Sequence, residues 1–115
     1  MNGFRVFLIV ILVTIVVYTV PVLLNHGLTL MHIFFGDILK MGWPGQFNLD
    51  FLGFLFMSAF WTAWRNHYSI SGLGLAILAL FFGAPFLTIY LLFLSFKTNG
   101  DANVMLLGEQ RAKTA

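Results

Sequence analysis

The chain has 115 residues, of which 60% are hydrophobic and 9% are charged, and its formal net charge is +2. Soluble domains carry about 25% charged residues, so this composition excludes an ordinary soluble fold and predicts one small membrane domain, residues 1–115, in contact with the lipid bilayer. The scattered basic residues exclude a nucleic-acid partner, and the absence of cysteine excludes disulfides and cysteine-based catalysis or metal binding.

Three apolar runs, about 6–24, 47–65 and 72–96, make up most of the chain. A bilayer core about 30 Å thick needs roughly 20 helical residues to cross it, and these runs lack the polar face of a soluble helix. The sequence therefore predicts an all-α membrane protein with three transmembrane helices. Pro21 falls in the last turn of the first run, where we expect it to bend or end the helix.

Residues 28–41, between the first and second runs, have the pattern of a short interfacial amphipathic helix. Wound at about 100° per residue, His32, Asp37 and Lys40 fall in one arc, while the other side is apolar. A helix of this length reaches only about 21 Å, which is too short to cross the bilayer. We expect it to lie along the membrane surface, on the same side as the C-terminal Ala115, or to cover the helix bundle with its apolar face.

The second run begins near Asp50, whose carboxylate suits the first turns of a helix, and ends at Trp64 and Arg65, which mark an interface. The short turn 66–71 makes the second and third helices antiparallel neighbours. In the three-span arrangement Asp50 and Lys97 lie on the same side, so we predict that they form an ion pair. The alternative is that Asp50 takes part in proton transfer or substrate binding.

Small residues recur along one face of the third run. They are Gly72, Ala76, Ala79 and Gly83. The matching small residues of the second run are Gly53, Ser58 and Thr62, or alternatively Ala59 and Ala63. Such faces allow helices to approach closely, so the pattern predicts a packing seam between the second and third helices, with an oligomer interface as the alternative. Pro85 is expected to kink the third helix.

The charges near the helix ends leave the orientation open. In the three-span arrangement Arg5 and Arg65 share one side, and the polar tail 97–115 shares the other side with Lys40. The total count of basic residues favours a cytoplasmic C-terminus, whereas Arg5, directly before the first span, favours a cytoplasmic N-terminus. We slightly prefer the second orientation.

Three histidines, His26, His32 and His67, are the candidate cofactor ligands. His26 and His32 are about 120° apart on a helix, and His67 falls on the opposite side of the membrane, so no two can share a metal within one chain. Each is at most a single axial ligand for haem or a pigment. No serine or threonine stands with a histidine and an acid that activate it, so we expect neither catalysis nor a resident cofactor.

Four motifs lie between Trp43 and Gly108. They are WPGQFNLDFL at 43–52, WTAWR at 61–65, GAPFLTIY at 83–90, and the pair GD and LLG at 100–101 and 106–108. Together they resemble short bacterial membrane-protein families of unknown function. The resemblance implies a three-helix protein of the bacterial inner membrane and brings no reaction with it.

The leading hypothesis from these features is a small non-catalytic accessory or scaffold protein, which packs against other membrane proteins or against copies of itself. Two further classes stay open. One is an oligomeric carrier of small solutes or protons, lined by Asp50, Tyr90 and the break at Pro85. The other is a haem- or quinone-associated subunit of a membrane redox complex.

Overall fold

The computed structural model describes residues 1–114, and every regular element within them is a helix. The six helices are α1 (Asn2–His26), α2 (Leu30–Leu39), α3 (Trp43–Arg65), α4 (Ile70–Lys97), α5 (Ala102–Leu107) and α6 (Glu109–Thr114). The all-α prediction is confirmed, and two helices, α1 and α4, are long and apolar enough to cross a membrane by total length and composition alone. The expectation for Ala115 lies outside the described residues.

α1 follows a Val- and Ile-rich sequence and continues through Pro21 to His26, so the helix does not end at the proline. The proline ring removes one backbone N–H, and the remaining hydrogen bonds hold the last turn. The helix ends at Gly27, which has a φ of 68° and donates its N–H to the Leu23 carbonyl oxygen at 2.8 Å. Leu8 is the buried residue of α1, because its first turns are the part that packs against α4.

α2 and α3 meet in a tight corner. A Cβ atom at Gly45 would lie 2.2 Å from the backbone oxygen of Asp37, so only glycine lets the two helices come this close. Across the corner, Asn48 Nδ2 donates to the Phe34 carbonyl oxygen at 3.1 Å. Pro44 lies in the first turn of α3, where its missing N–H needs no partner, and the helix accordingly begins before the predicted boundary at residue 47.

α4 folds back on itself at Gly83. This residue has a φ of 56° and a ψ of −131°, a conformation that separates two helical halves and that other residues rarely adopt. Asn66 contacts both halves: a Cβ atom at Gly72 would lie 2.6 Å from the Asn66 Cβ, and Asn66 Nδ2 donates to the Tyr90 hydroxyl oxygen at 2.9 Å. In a straight helix Gly72 and Tyr90 would be about 27 Å apart. The two halves therefore form a hairpin with Gly83 at its tip.

This fold-back changes which side of the molecule the end of α4 reaches. Lys97, at the end of α4, lines the same cleft as Arg65, which precedes α4. The three-span arrangement requires these two residues on opposite sides, so it does not describe the path of α4. Pro85 does not kink a continuous helix as predicted, because it lies in the first turn of the second half, where a missing N–H costs no hydrogen bond.

The predicted polar tail contains two short helices. The Asp101 side chain begins α5 by accepting hydrogen bonds from two backbone N–H groups, at 3.0 and 3.4 Å. Met105, on α5, is buried and joins Tyr90 and Leu94 in the hydrophobic core. α5 and α6 therefore extend the packed part of the molecule and do not form a loose tail.

The helices define two ends of a molecule that is 47 Å long. The cationic end holds the start of α1, both ends of the α4 hairpin, α5, α6 and five of the six basic residues, namely Arg5, Arg65, Lys97, Arg111 and Lys113. The α2 end holds the end of α1, α2, the start of α3 and the remaining basic residue, Lys40. The hydrophobic core lies at the cationic end.

Candidate functional site

The turn after α3 has a strained backbone. His67 and Tyr68 have positive φ values, 58° and 55°, although neither is glycine. Their N–H groups donate to the carbonyl oxygens of Trp64 and Ala63, at 3.0 and 2.8 Å, and so provide partners for the end of α3. The turn places His67 in the wall of a cleft at the cationic end.

Two side chains of α3 cap the end of α5. Arg65 donates from Nε to the Met105 carbonyl oxygen at 2.5 Å and from Nη2 to the Val104 carbonyl oxygen at 3.2 Å. Trp61 donates from Nε1 to the Leu106 carbonyl oxygen at 3.0 Å. The last carbonyls of a helix lack intrahelical partners and carry partial negative charge, so a cation stabilises them.

Two more arginines join elements at the cationic end. Arg111 donates to the Trp64 carbonyl oxygen, and its Cζ lies 4.0 Å from the centroid of the Trp64 ring. Arg5 donates to the hydroxyl and carbonyl oxygens of Ser95, at 3.0 and 2.8 Å, and its Cζ lies 4.0 Å from the Phe96 ring centroid. Ser95 is fully buried, so these bonds hold the start of α1 against the end of α4.

A cleft of about 320 Å³ opens between these elements. Its wall comes from the turn after α3, from the end of α4 and from the α5–α6 junction. The lining residues are Arg65, Asn66, His67, Lys97, Thr98, Val104, Gly108, Glu109 and Gln110. Two permanent cations, one imidazole and one carboxylate therefore face the same space.

A column of polar groups on α3 leads away from the cleft. Asn66 donates to the Thr62 carbonyl oxygen at 2.8 Å, and the Thr62 hydroxyl donates to the Ser58 carbonyl oxygen at 2.8 Å. Thr62 is fully buried, and the buried Ser58 hydroxyl has no hydrogen-bond partner within residues 1–114. Through Asn66 and Tyr90 this column ties α3 to the second half of α4.

The small residues of α4 lie on the inner side of its first half. They are Gly72, Ala79 and Gly83, which are buried, and Ala76, which is half-buried. On α3, the helix that packs against α4, Thr62 is buried and Ser58 half-buried. Gly53 is exposed and has no neighbour within 4 Å of an added Cβ, so the structure leaves it outside the predicted seam.

Asp50 and Lys97 do not meet, so the predicted ion pair is not formed. Asp50 is exposed near the start of α3, about 22 Å along that helix from Arg65, whereas Lys97 lines the cleft beside Arg65. The two residues are apart because α4 reverses at Gly83, so that Lys97, at the end of α4, lies on the same side of the molecule as the start of α4. The same separation keeps Asp50 away from Tyr90, so these two residues do not line one pathway within a single chain.

The histidines are distributed between the two ends. His26 and His32 are exposed at the α2 end, and His67 is exposed at the cationic end. Within the described part of the chain, no group of three or more His, Asp or Glu side chains is placed to hold a metal ion. His67 is the histidine that the structure brings into a cleft with other charged groups.

Sequence reasoning missed the contacts that organise the cationic end. It placed Arg65 and Lys97 on opposite sides and paired neither Arg5 with Ser95 nor Asn66 with Tyr90. A signal for the fold-back was present in residues 83–85, where glycine ends one helix and proline begins the next. The same residues also predict a kink in one helix, and the structure has a reversal there instead.

Comparison with protein families, with curated proteins and with solved structures found no match to this chain.

Proposed function

We propose that this chain is a non-catalytic protein of the bacterial inner membrane with two spans, α1 and α3, and a re-entrant hairpin, α4. It serves as an accessory or scaffold subunit that packs beside another membrane protein. The observation that carries this proposal is the fold-back of α4 at Gly83, which leaves the second half of α1, residues 16–26, exposed along its whole length.

The exposed surface of α1 suits lipid better than water. Val16, Val17 and Tyr18 are 44%, 66% and 75% exposed, and consecutive helical residues point about 100° apart, so the helix is exposed on several sides. Soluble monomers rarely expose apolar patches larger than a few hundred Å². At 25 residues, α1 is about 37 Å long and exceeds the roughly 30 Å of a bilayer core.

α3 is the second proposed span, although it is less apolar than α1 and α4. Its 23 residues reach about 34 Å, and tryptophans at 61 and 64 suit the interface at its cationic end. Each half of α4 is only about 20 Å long, so neither half crosses the core. Non-helical backbone inside a membrane needs protein around it, and a Cβ atom at Gly83 would lie 3.0 Å from Phe51 and 3.2 Å from Leu55 side-chain atoms.

The distribution of charged residues supports one orientation of this arrangement in the membrane. The cationic end has five basic residues against Asp101 and Glu109, a balance of +3, whereas the α2 end has Lys40 against Asp37 and Asp50, a balance of −1. Basic residues concentrate on the cytoplasmic side of membrane proteins. We therefore expect both chain ends to face the cytoplasm. In this arrangement the total count of basic residues and the position of Arg5 favour the same orientation.

The accessory role follows from the part of α1 that α4 does not reach. An open depression runs along this helix between Val13 and Val22. Thr14 and Tyr18 add hydroxyl groups to this surface, and Tyr18 is 75% exposed. Polar side chains on membrane helices favour association with other helices. We therefore expect a helix of another membrane protein to bind along this surface.

Single cysteines test the span arrangement, because the chain has no cysteine of its own. Lys40, Ser71 and Lys113 are replaced one at a time, and a membrane-impermeant thiol reagent is applied to intact cells and to inverted vesicles. The re-entrant arrangement expects positions 71 and 113 to react from the cytoplasmic side and position 40 from the outer side. Reaction of positions 40 and 113 on one side and 71 on the other would restore three spans and overturn the proposal.

A photo-crosslinking residue at Val17 tests the accessory role separately. We expect a protein adduct of one defined mass from this position in native membranes. Ile70 is the matched control, since it is 92% exposed and lies at the cationic end, and it should give lipid adducts only. Lipid adducts alone from both positions would refute a protein partner and leave the two-span arrangement standing.

A further inference from the structure

We propose that the cleft between the turn after α3, the end of α4 and the α5–α6 junction binds a phosphate group. The phosphate is carried by an anionic phospholipid at the cytoplasmic face of the membrane or is free in solution. This site is separate from the proposed partner surface of α1, which lies toward the α2 end.

The cleft contains two cationic side chains, Lys97 and Arg65, that retain N–H donors for a ligand. Lys97 is exposed and lines the cleft, and its Nζ lies over the Phe93 ring, 5.7 Å from the centroid, a weak contact that a phosphate oxygen can replace. Arg65 uses Nε and Nη2 on α5 carbonyl oxygens, which fixes the guanidinium and leaves Nη1 for a ligand. Ammonium and guanidinium groups are the usual protein donors to phosphate oxygens.

The net charge of the side chains that line the cleft is positive, which favours an anionic ligand. The titratable groups in its wall are Arg65, His67, Lys97 and Glu109. One carboxylate does not neutralise two permanent cations, and Gln110 contributes an amide donor to the same wall. Arg111, held on Trp64 by its hydrogen bond and ring contact, adds to the positive potential nearby.

The walls of the cleft are held in place before a ligand arrives. Asn66 bridges α3 and the α4 hairpin through hydrogen bonds to Thr62 and Tyr90, both within 2.9 Å. The positive φ values of His67 and Tyr68 are maintained by the surrounding structure, and strained backbone of this kind concentrates at binding sites. Preorganised donors lose less entropy when they bind.

The position of the cleft suits a lipid headgroup. It lies at the end of α3 that carries Trp61 and Trp64, side chains that favour the headgroup region, and beside the last residues of the apolar α4. Basic pockets on the cytoplasmic side bind anionic headgroups. The lipid source rests on the membrane arrangement proposed above, whereas binding of free phosphate rests on the fold-back of α4 alone.

Binding by the full chain in non-ionic detergent tests the site. Native mass spectrometry measures retained phosphatidylglycerol against phosphatidylcholine, and thermal unfolding measures the response to inorganic phosphate. We expect a preference for phosphatidylglycerol, and Lys97→Gln should lower the affinity about tenfold, as the loss of one charged hydrogen bond does. Lys97→Arg should retain binding. Lys40→Gln, the same change at the α2 end, should have no effect.

The two probes distinguish the sources of the phosphate. Binding of phosphatidylglycerol with no response to inorganic phosphate assigns the site to lipid, and the reverse assigns it to a free anion. Equal losses from Lys97→Gln and Lys40→Gln, equal retention of the two lipids with no response to inorganic phosphate, or no binding of either probe would overturn the proposal. Cysteine labelling that restores three spans would separate Lys97 from Arg65 and overturn this site as well, whereas a failure to find a protein partner at Val17 leaves it standing.

Discussion

The cationic end and the α2 end share α1 and α3, yet the hydrophobic core lies at the cationic end. Leu8, Thr62, Tyr90, Leu94 and Met105 are all buried there, whereas α1 has no buried residue after Leu8 among its described positions. The difference comes from Gly83, which sends α4 back before it reaches the α2 end. One backbone conformation therefore decides where the long helices have protein neighbours.

The two ends also differ in how helix termini are satisfied. At the cationic end, Arg65, Trp61 and Arg111 reach from one element to the carbonyl oxygens of another. At the α2 end, α1 finishes with a backbone bond from Gly27 to Leu23 within the same segment. Long side chains join several elements into one unit, while local backbone bonds join only neighbouring residues.

We expect the largest loss of stability from a substitution at the hairpin tip. Gly83→Ala places a Cβ in a conformation that suits glycine and 3.0 Å from Phe51, so we expect a loss of about 3 kcal/mol in the free energy of unfolding. The control is Gly74→Ala, which has open space and should be neutral or stabilising by up to about 1 kcal/mol. Unfolding of both variants is followed by circular dichroism in mixed micelles, and equal stabilities would contradict a tight turn at Gly83.

Two truncations on α1 compare its packed and unpacked parts. Leu8→Ala removes a side chain that is 3% exposed and should cost about 2 kcal/mol, at the low end for leucine because lipid also shields the unfolded helix. Val17→Ala, at a position 66% exposed, should stay within about 0.5 kcal/mol of the parent. The same micelle assay measures both. A larger loss at Val17 in the isolated protein would show that α1 packs elsewhere.

The smallest expected effects come from removing single tyrosine hydroxyl groups, one in the core and one on the exposed part of α1. Tyr90→Phe removes the acceptor for Asn66 and should cost about 1 kcal/mol, the net value of a typical hydrogen bond. Tyr18→Phe, at an exposed position on the unpacked part of α1, should change stability by less than about 0.5 kcal/mol. Identical unfolding curves for the parent and Tyr90→Phe would argue against the bond between α3 and α4.

Most helices could be predicted from the sequence, but the path of α4 could not. Apolar run length indicates α1 and α4, and the amphipathic pattern indicates α2, observed at 30–39 within the predicted 28–41. Mean hydropathy is an average over a window of residues, so its value is the same whether those residues form a straight helix or a hairpin. The candidate site depends on that choice, because Lys97 joins Arg65 only when the chain reverses at Gly83.

The re-entrant hairpin gives the proposed membrane arrangement an unequal cross-section in the two leaflets. The cytoplasmic leaflet would hold α1, α3 and both halves of α4, whereas the hydrocarbon part of the outer leaflet would hold α1, α3 and only the tip of the hairpin. Each molecule then displaces more lipid from the cytoplasmic leaflet and has the shape of a wedge. Such a shape favours regions where the cytoplasmic face of the membrane is convex, so local curvature would affect where the protein gathers.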